Sequence, residues 1–335
     1  MSLPAWTHAY GPPLFAATIR TEPADFDVTE ELGFELSGDG EHDYLYVEKT
    51  GTNTEWLARQ LAGFADVPAK DVGYSGLKDR HAVTRQWFSV PRWNQPDWAA
   101  FEVDDVSILE VNRNARKLRR GAHRSNRFRI VMRGTLPDNA VLEQRLVSIR
   151  DSGVPNYYGP QRFGRGGGNV ALADSWAAGK RLPRHKRSIA ISSARSFMFN
   201  ELLAARVDDK SWNKLVAGDV ANLDGTGSVF DVEVVDDELR ERCAGLDIHP
   251  TELLWGDGSA EEAAPPGHDN WLRALSKARV KPLRRSRRLR VIDLRWQFDD
   301  DALILIFGLT RGAFATSILR EIAEVADATH SNSAI

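Results

Sequence analysis

The sequence has 335 residues, 42% of them apolar, which is enough for a buried core and for two domains. Its formal net charge of −3 predicts no strong long-range attraction to a polyanion. Its single cysteine, Cys243, excludes a disulfide framework and indicates a reducing compartment. The sequence contains neither an apolar run of membrane-spanning length nor a secretory signal pattern at its start, so we expect a cytoplasmic protein with no membrane partner.

Alternating apolar and polar residues predict strands in the N-terminal part of the chain. These strands are expected at residues 25–30, 42–48, 83–90 and 127–133. Between the second and the third strand, a capping box of Thr52 and Glu55 is predicted to begin a helix. Leu57, Leu61 and Phe64 share one face of that helix, so it is expected to be amphipathic.

Glycine-rich loops and helical patterns alternate from residue 156 onward. A helix is predicted before this point, at residues 138–152, and further helices at residues 192–207 and 316–325. Further strands are predicted at residues 289–298 and 302–309. An acidic segment of small residues, 256–267, predicts an exposed loop. The pattern indicates a strand-rich body that is interrupted by a more helical middle and completed by the C-terminal segment.

Asp79 is the first candidate for a functional side chain. It follows a glycine-punctuated turn, precedes the strand predicted at residues 83–90, and stands between Lys78 and Arg80. Neighbouring cations favour the ionised form of a carboxylate, so Asp79 is suited to act as a nucleophile or a base. The competing interpretation is a solvated charge cluster on a surface turn, which is the commoner case for so short a pattern.

Residues 156–169 are a second candidate, because they combine aromatic residues, Arg162, Arg165 and several glycines. This mixture suits contact with sugar-phosphate and stacked bases. The alternative, weighted equally, is an ordinary glycine loop whose aromatic side chains anchor it to the core. The glycines match neither the dinucleotide fingerprint nor the P-loop, and the histidines lack metal-site spacing, so we expect no cofactor and no metal.

Two basic stretches contain no acidic residue, which is unusual in a chain that is acidic overall. The first runs from Arg113 to Arg133 and includes Arg119, Arg120 and Arg124, and the second runs from Arg279 to Arg290 and includes Arg287 and Arg288. A surface that is merely solvated would normally contain both acidic and basic residues. Phosphate binding is therefore the favoured interpretation, and it would depend strongly on salt.

Four motifs resemble those of the TruD family of tRNA pseudouridine synthases, in the same order and across nearly the whole chain. They are Gly76-Leu77-Lys78-Asp79-Arg80-His81-Ala82-Val83-Thr84, Asn156-Tyr157-Tyr158-Gly159-Pro160-Gln161-Arg162-Phe163-Gly164, Arg195-Ser196-x-x-Phe199-Asn200 and Gly312-Ala313-Phe314-Ala315-Thr316-Ser317. The resemblance implies an α+β fold, the pseudouridine synthase fold, with a mixed and mainly antiparallel sheet. It also implies a discontinuous catalytic domain of residues 1–154 and 291–335, into which a family-specific TRUD domain of residues 155–290 is inserted.

The resemblance further implies an activity and its site residues. The activity is the isomerisation of uridine to pseudouridine, at position 13 of tRNA, so tRNA is the expected partner. The catalytic carboxylate falls on Asp79, its basic partner on Arg20, and substrate contacts on Phe26, Asn126 and Phe314. No protein partner is implied, and a monomer is expected.

Pseudouridine formation breaks the glycosidic C–N bond and forms a C–C bond at C5, without an energy source or a metal. An ionised Asp79 can attack the sugar or the base, and removal of the C5 proton needs Asp79 again or another base. A uridine in folded tRNA must be flipped out, and stacking on Phe128 could return about 1–3 kcal/mol. Lys78, Arg80 and the arginines of the basic stretches would bind phosphates.

Two other classes of protein stay open at this point. A non-catalytic RNA-binding protein or RNA chaperone would use the same basic surface and would not depend on Asp79. A hydrolase that cuts RNA or releases bases usually needs a metal-binding carboxylate cluster or two cooperating carboxylates, and neither is evident. Free uracil among the products would identify the hydrolase.

Overall fold

The structure is a computed structural model that describes residues 3–259 and 265–331, and it divides into two compact units. The first, called the sheet unit, comprises Leu14–Leu142, Val291–Ala313 and the described residues from Ala323 onward. The second, called the helical unit, comprises Glu143–Arg290, Phe314–Ile322 and the described residues up to Pro13. The domain boundaries expected from the sequence stay a prediction.

Strands and helices follow one another along the chain as follows. The strands are β1 Ala16–Ile19, β2 Phe26–Leu32, β3 His42–Thr50, β4 Gly73–Tyr74, β5 Val83–Pro91, β6 Val106–Asn114, β7 His123–Arg133, β8 Val154–Pro155, β9 Val220–Leu223, β10 Val229–Asp231, β11 Ile248–Leu254, β12 Leu283–Ser286, β13 Arg288–Leu289, β14 Ile292–Phe298, β15 Ala302–Thr310 and β16 Glu324–Asp327. The helices are α1 Thr54–Phe64, α2 Asn139–Ser152, α3 Gly168–Ala177, α4 Arg184–Asp208, α5 Asp237–Ala244, α6 Asp269–Lys277, α7 Thr316–Leu319 and α8 Ala328–Ser331.

One large sheet organises the sheet unit. Within the described residues it has ten strands, in the central order β14-β15-β7-β2-β5-β3-β6, with β1 beside β7 and β16, and β4 beside β5. Neighbours run antiparallel except for β2 with β5 and β1 with β16, which are parallel. The expected α+β fold with a mixed, mainly antiparallel sheet is confirmed.

The register of β7 places a row of side chains across the middle of this sheet. Asn126 and Phe128 lie opposite Glu30 and Val28 of β2. On its other side, Phe128 lies opposite Phe307 of β15. Because side chains alternate along a strand, the arginines that interleave with Asn126 and Phe128 point to the opposite face. The alternation predicted for residues 127–133 is therefore confirmed, in a strand that begins earlier.

Helix α1 packs its apolar face on this sheet unit, but it starts differently from the prediction. Leu57 and Leu61 are fully buried in one cluster with apolar residues of β3 and β5. The N-terminal cap is Asn53, whose side chain accepts hydrogen bonds from two amides of the first turn. The predicted cap at Thr52 is wrong, because the Thr52 hydroxyl donates to the carbonyl oxygen of Thr50 instead.

The helical unit encloses an aromatic core between α3, α4, α6 and an antiparallel sheet of order β10-β9-β11-β12. Tyr157, Trp255 and Trp271 are nearly fully buried there. Helix α4 has 25 residues and begins at Arg184 rather than at residue 192. Its first six residues are exposed and lack the apolar periodicity that reveals the rest of the helix.

Two predictions for the C-terminal part were wrong, for one physical reason. The helix expected at residues 316–325 ends at Leu319, and Glu324 begins β16, which pairs with β1. The strand expected at residues 289–298 is split, because β13 pairs with β8 and β14 pairs with β15. In both cases, pairing with a strand far away in the sequence overrides the local pattern, since β16 pairs with β1 and β13 pairs with β8.

The acidic segment 256–267 is only partly open to comparison, since residues 260–264 lie outside the described part. Gly256 is buried, and a Cβ there would lie 2.3 Å from the carbonyl oxygen of Val280, so only glycine fits. Asp257 and Gly258 are exposed, as predicted.

Among the described residues, no helix is both long enough and apolar enough to cross a bilayer.

Candidate active site

Asp79 lies in the loop that joins β4 to β5, at the rim of the large sheet. Its side chain is 38% exposed. One carboxylate oxygen, Oδ1, accepts a hydrogen bond from the amide of His81 at 3.0 Å, and Oδ2 lies 2.9 Å from Nη2 of Arg20. The carboxylate is thus fixed in direction while part of it stays accessible to a substrate.

Arg20 is the cation that faces Asp79. Its side chain is only 12% exposed, and its second terminal nitrogen, Nη1, lies 2.5 Å from the carboxylate of Asp327. The guanidinium also lies 3.9 Å from the centre of the Phe26 ring. Two carboxylates and an aromatic face therefore restrict the planar guanidinium from three directions, which gives Asp79 a fixed partner.

Neither of the two cations that flank Asp79 in sequence forms an ion pair with its carboxylate in the described residues. Nζ of Lys78 donates to the buried Glu30 at 2.5 Å, and the Lys78 side chain is 6% exposed. The assignment of Lys78 to RNA binding is wrong, because its charge is enclosed and paired. Arg80 is exposed, and no ion pair of its guanidinium exists within residues 3–259 and 265–331.

Buried polar side chains form hydrogen bonds with the main chain of the loop that carries Asp79. The hydroxyl of Thr54 accepts a hydrogen bond from the amide of Lys78 at 3.1 Å and donates to the side chain of Gln86 at 3.0 Å. The Gln86 amide in turn donates to the carbonyl oxygen of Gly76 at 3.2 Å. Thr54 and Gln86 are fully buried, so these bonds fix the main chain on the N-terminal side of Asp79.

Lys49 supports the same loop on the other side of Asp79. This fully buried lysine donates from Nζ to the carbonyl oxygen of Thr52 at 2.6 Å and to that of Asp79 itself at 3.4 Å. Burial lowers the pKa of the Lys49 ammonium to about 8. The sequence carries a signal for it that we missed, since Lys49 continues the buried alternation of Leu45 and Val47.

An aromatic row lies next to Arg20. Phe26 is 5% exposed and meets the half-buried Phe128 edge to face at 6.2 Å. Phe128 stacks on Phe307 at 5.3 Å. The structure thus brings Phe26, Phe128, Arg20 and Asp79 together in one unit.

Asn126 lies on the same face of β7 as Phe128, two residues earlier. Its side-chain oxygen, Oδ1, is buried and has no hydrogen-bond donor within the described part of the chain. Leaving a buried acceptor unpaired costs on the order of 1–3 kcal/mol. A substrate that brings an N–H group to this oxygen would recover that free energy.

Phe314 belongs to the helical unit. It is half-buried against the aromatic core and lies 6.2 Å from the ring of Tyr158, with the guanidinium of Arg162 6.0 Å from its own ring. Tyr157, Tyr158 and Phe163 are buried in this core. For these three aromatic residues of the segment 156–169, the anchoring interpretation is therefore the right one, while Arg165 is exposed.

The second basic stretch carries two arginines that lie in the interior. Arg287 is fully buried and paired with Asp219. Arg288 is 3% exposed, and it donates to His249 Nδ1 and to the carbonyl oxygens of Cys243 and Ile248. The assignment of Arg287 and Arg288 to RNA binding is wrong, because neither guanidinium reaches the surface.

The first basic stretch stays at the surface. Arg119, Arg120 and Arg124 are exposed. Acidic side chains from distant segments pair with two of them, since Arg120 lies 3.9 Å from Glu55 and Arg124 lies 3.7 Å from Glu31. These carboxylates are not visible in the local sequence, and the RNA-binding role of the three arginines stays a prediction.

Metal-binding side chains do not cluster in the described residues: no group of three His, Cys, Asp or Glu side chains there is placed to hold a metal ion. The charge that faces Asp79 in this structure is the guanidinium of Arg20.

Known proteins resemble this chain over most of its length. The family model of tRNA pseudouridine synthase D (TruD) matches residues 7–172 and 168–322. A tRNA pseudouridine synthase D from Nitrosococcus oceani is 44% identical over 96% of this chain and 94% of its own, and one from Methylococcus capsulatus is 43% identical over 94% and 93%.

The fold has a counterpart among solved structures. A protein from Methanosarcina mazei, provisionally named tRNA pseudouridine synthase D (TruD), superposes with a TM-score of 0.74 over 97% of this chain and 99% of its own, at 20% identity. The fold is therefore that of a TruD structure. The chain belongs to the tRNA pseudouridine synthase D family.

Proposed function

We propose that this protein is a tRNA pseudouridine synthase that isomerises a uridine of tRNA, at position 13, with Asp79 as the catalytic carboxylate. The observation that carries the proposal is the partly exposed Asp79 carboxylate fixed by Arg20, in a chain of this family. With tRNA as its substrate, we expect the protein to act in the cytoplasm, as a monomer and without a protein partner.

The proposed reaction breaks the bond between N1 of uracil and C1′ of the ribose and forms a bond between C5 and C1′. N1 gains a proton and C5 loses one, so nothing is oxidised or reduced and no cofactor is needed. The Asp79 carboxylate acts as the nucleophile, toward C1′ of the sugar or C6 of the base. Arg20 keeps it in place through the 2.9 Å contact, and Asp79 or a second base removes the C5 proton.

The uridine has to leave the RNA stack to reach Asp79, which costs a few kcal/mol. Phe128 is half-buried and offers an aromatic face beside Phe26, on which stacking returns about 1–3 kcal/mol. The unpaired Oδ1 of Asn126 suits the N3–H group of uracil. Cytosine has no hydrogen on N3, so this contact favours uridine. A contact of Phe314 with the substrate rests on the family resemblance alone.

Tritium release tests the proposed function. A tRNA transcript labelled at C5 of its uridines is incubated with the wild-type protein, beside a matched transcript that carries cytidine at position 13. We expect about one tritium per molecule from the first transcript and none from the second, with pseudouridine in the product. Free uracil in the product would indicate a hydrolase, and no release from any tRNA would reject the isomerase.

Exchanging Asn126 for leucine should separate activity from stability. Leucine has a similar size but no acceptor, so kcat/KM for tRNA is expected to fall about 10- to 100-fold, the equivalent of one hydrogen bond to substrate. The melting temperature should stay the same or rise, because an unpaired buried oxygen is removed. An unchanged kcat/KM in Asn126→Leu would exclude this side chain from uracil binding.

A further inference from the structure

A run of exposed cations lies on the helical unit, in a part of the chain that neither the family motifs nor the two basic stretches include. Six of the eight residues at 180–187, called here the basic segment, are basic, and none is acidic. They are Lys180, Arg181, Arg184, His185, Lys186 and Arg187, and all six are exposed.

These cations are not balanced by carboxylates. Within residues 3–259 and 265–331, no side chain of the basic segment forms an ion pair, whereas other arginines of the same unit do, for example the exposed Arg240 with Asp237 and the partly buried Arg242 with Asp247. The five lysine and arginine charges of the segment therefore repel one another across a short surface, with no carboxylate within the segment to compensate them.

Four of the six residues lie at the start of α4, which makes the arrangement less stable. Arg184, His185, Lys186 and Arg187 occupy the first turn of a 25-residue helix, and this turn has no acidic residue. The helix dipole disfavours cations at an N-terminus by about 0.3–1 kcal/mol each when they are exposed. An arrangement that lowers stability in the free protein is explained if an anionic partner binds these side chains.

The segment is fixed to the body of the unit. Leu182 packs against the aromatic core, and Ala190, nearly two turns into α4, is fully buried. Further along the same helix, Phe199 and Leu203 are fully buried. The cations are therefore presented from a rigid surface, which lowers the entropy cost of binding a partner.

We propose that the basic segment binds the phosphate backbone of the tRNA substrate. This inference rests on the proposed function, which supplies an RNA partner. Clustered cations without a carboxylate match a polyanion, and the segment contains no aromatic side chain that could stack on a base. Its contribution is therefore independent of RNA sequence, and the helical unit takes part in holding tRNA through these residues.

The test is a triple charge reversal, Arg184→Glu, Lys186→Glu and Arg187→Glu. Each phosphate that the protein no longer neutralises should lower the slope of log Kd against log salt by about 0.7–0.9. We expect Kd for tRNA to rise at least about tenfold at 0.1 M salt and the slope to fall by about 2. At saturating tRNA, kcat should be unchanged while KM rises, since phosphate binding by this segment is common to the ground and transition states.

A matched control separates the segment from net charge. Lys210, Arg273 and Lys277 are exposed cations of the same unit, and reversing all three gives the same change in charge. The inference is supported if the control keeps the wild-type Kd and slope, and it is overturned if both triple variants weaken binding equally or if neither does. If the variant with three glutamates unfolds, the test is repeated with glutamine at residues 184, 186 and 187, which removes the charges without reversing them.

The two proposals fail in different ways. If the wild-type protein releases no tritium from tRNA, the proposed function fails whatever the basic segment does. If it releases tritium and the triple variant binds tRNA as the wild type does, only the basic segment is excluded from the RNA surface.

Discussion

Replacing Asp79 with asparagine is expected to abolish pseudouridine formation, with a fall in kcat of at least ~10³-fold. The amide keeps the shape of the side chain and its oxygen can still accept from the His81 amide, so the loop should stay in place. It cannot act as a nucleophile or a base, and it no longer carries the charge that meets Arg20. The measurement is tritium release in single turnovers, with the melting temperature and Kd for tRNA determined on the same samples.

Asp327 offers a matched control, because within the described residues it is the second carboxylate that contacts Arg20. Asp327→Asn loosens the guanidinium but leaves the carboxylate of Asp79 available, so its activity should fall far less. If a folded Asp79→Asn protein retains activity, Asp79 is not the catalytic carboxylate and another group performs the chemistry. Equal losses in both variants would indicate that the position of Arg20, rather than the chemistry of Asp79, limits the rate.

Reversing the charge of Arg287 should unfold the helical unit rather than weaken RNA binding. A glutamate there would be buried beside Asp219, with two like charges where the protein now has an ion pair. Breaking a buried pair costs about 3–5 kcal/mol, and added repulsion makes the destabilisation larger, which approaches the whole stability of a typical domain. Thermal unfolding followed by circular dichroism measures it.

Two further variants identify the cause of that destabilisation. Arg287→Met leaves Asp219 buried without a partner, whereas the double variant with Asp219→Leu removes both charges and should regain most of the stability. Lys281, an exposed cation of the same basic stretch, should tolerate glutamate within about 0.5 kcal/mol. A stable Arg287→Glu protein with weaker tRNA binding would return Arg287 to the RNA surface.

The sequence predicts the fold best where the local pattern and the distant partners agree. The alternation of residues 127–133 matches its pairing with β2 and β15, so the strand was predicted. The apolar residues of segment 316–325 are spaced as in a helix. The amide of Glu324 nevertheless donates a hydrogen bond to the carbonyl oxygen of Phe15, near the other end of the sequence. No local pattern can reveal such a bond.

The same limit applies to the site. Asp79 could be selected from its own motif, but its contact with Arg20 joins residues far apart in the chain and was expected only through the family resemblance. The basic stretches show the converse error. Their sequence lacks acids, but the fold brings Asp219 to Arg287 and Glu31 to Arg124. Charge along a chain therefore predicts surface charge only where no distant strand supplies the counterion.

The path of the chain between its two units has a consequence for synthesis in the cell. The chain leaves the sheet unit after Ala313, adds Phe314–Ile322 to the helical unit, and returns with β16, which carries Asp327 to Arg20. Neither unit is complete until ribosomes have translated this late segment, so both must wait as partly folded chains with exposed apolar surface. A nonsense mutation shortly after Ala313 would leave the cores of both units incomplete, and both units would become substrates for chaperones and proteases.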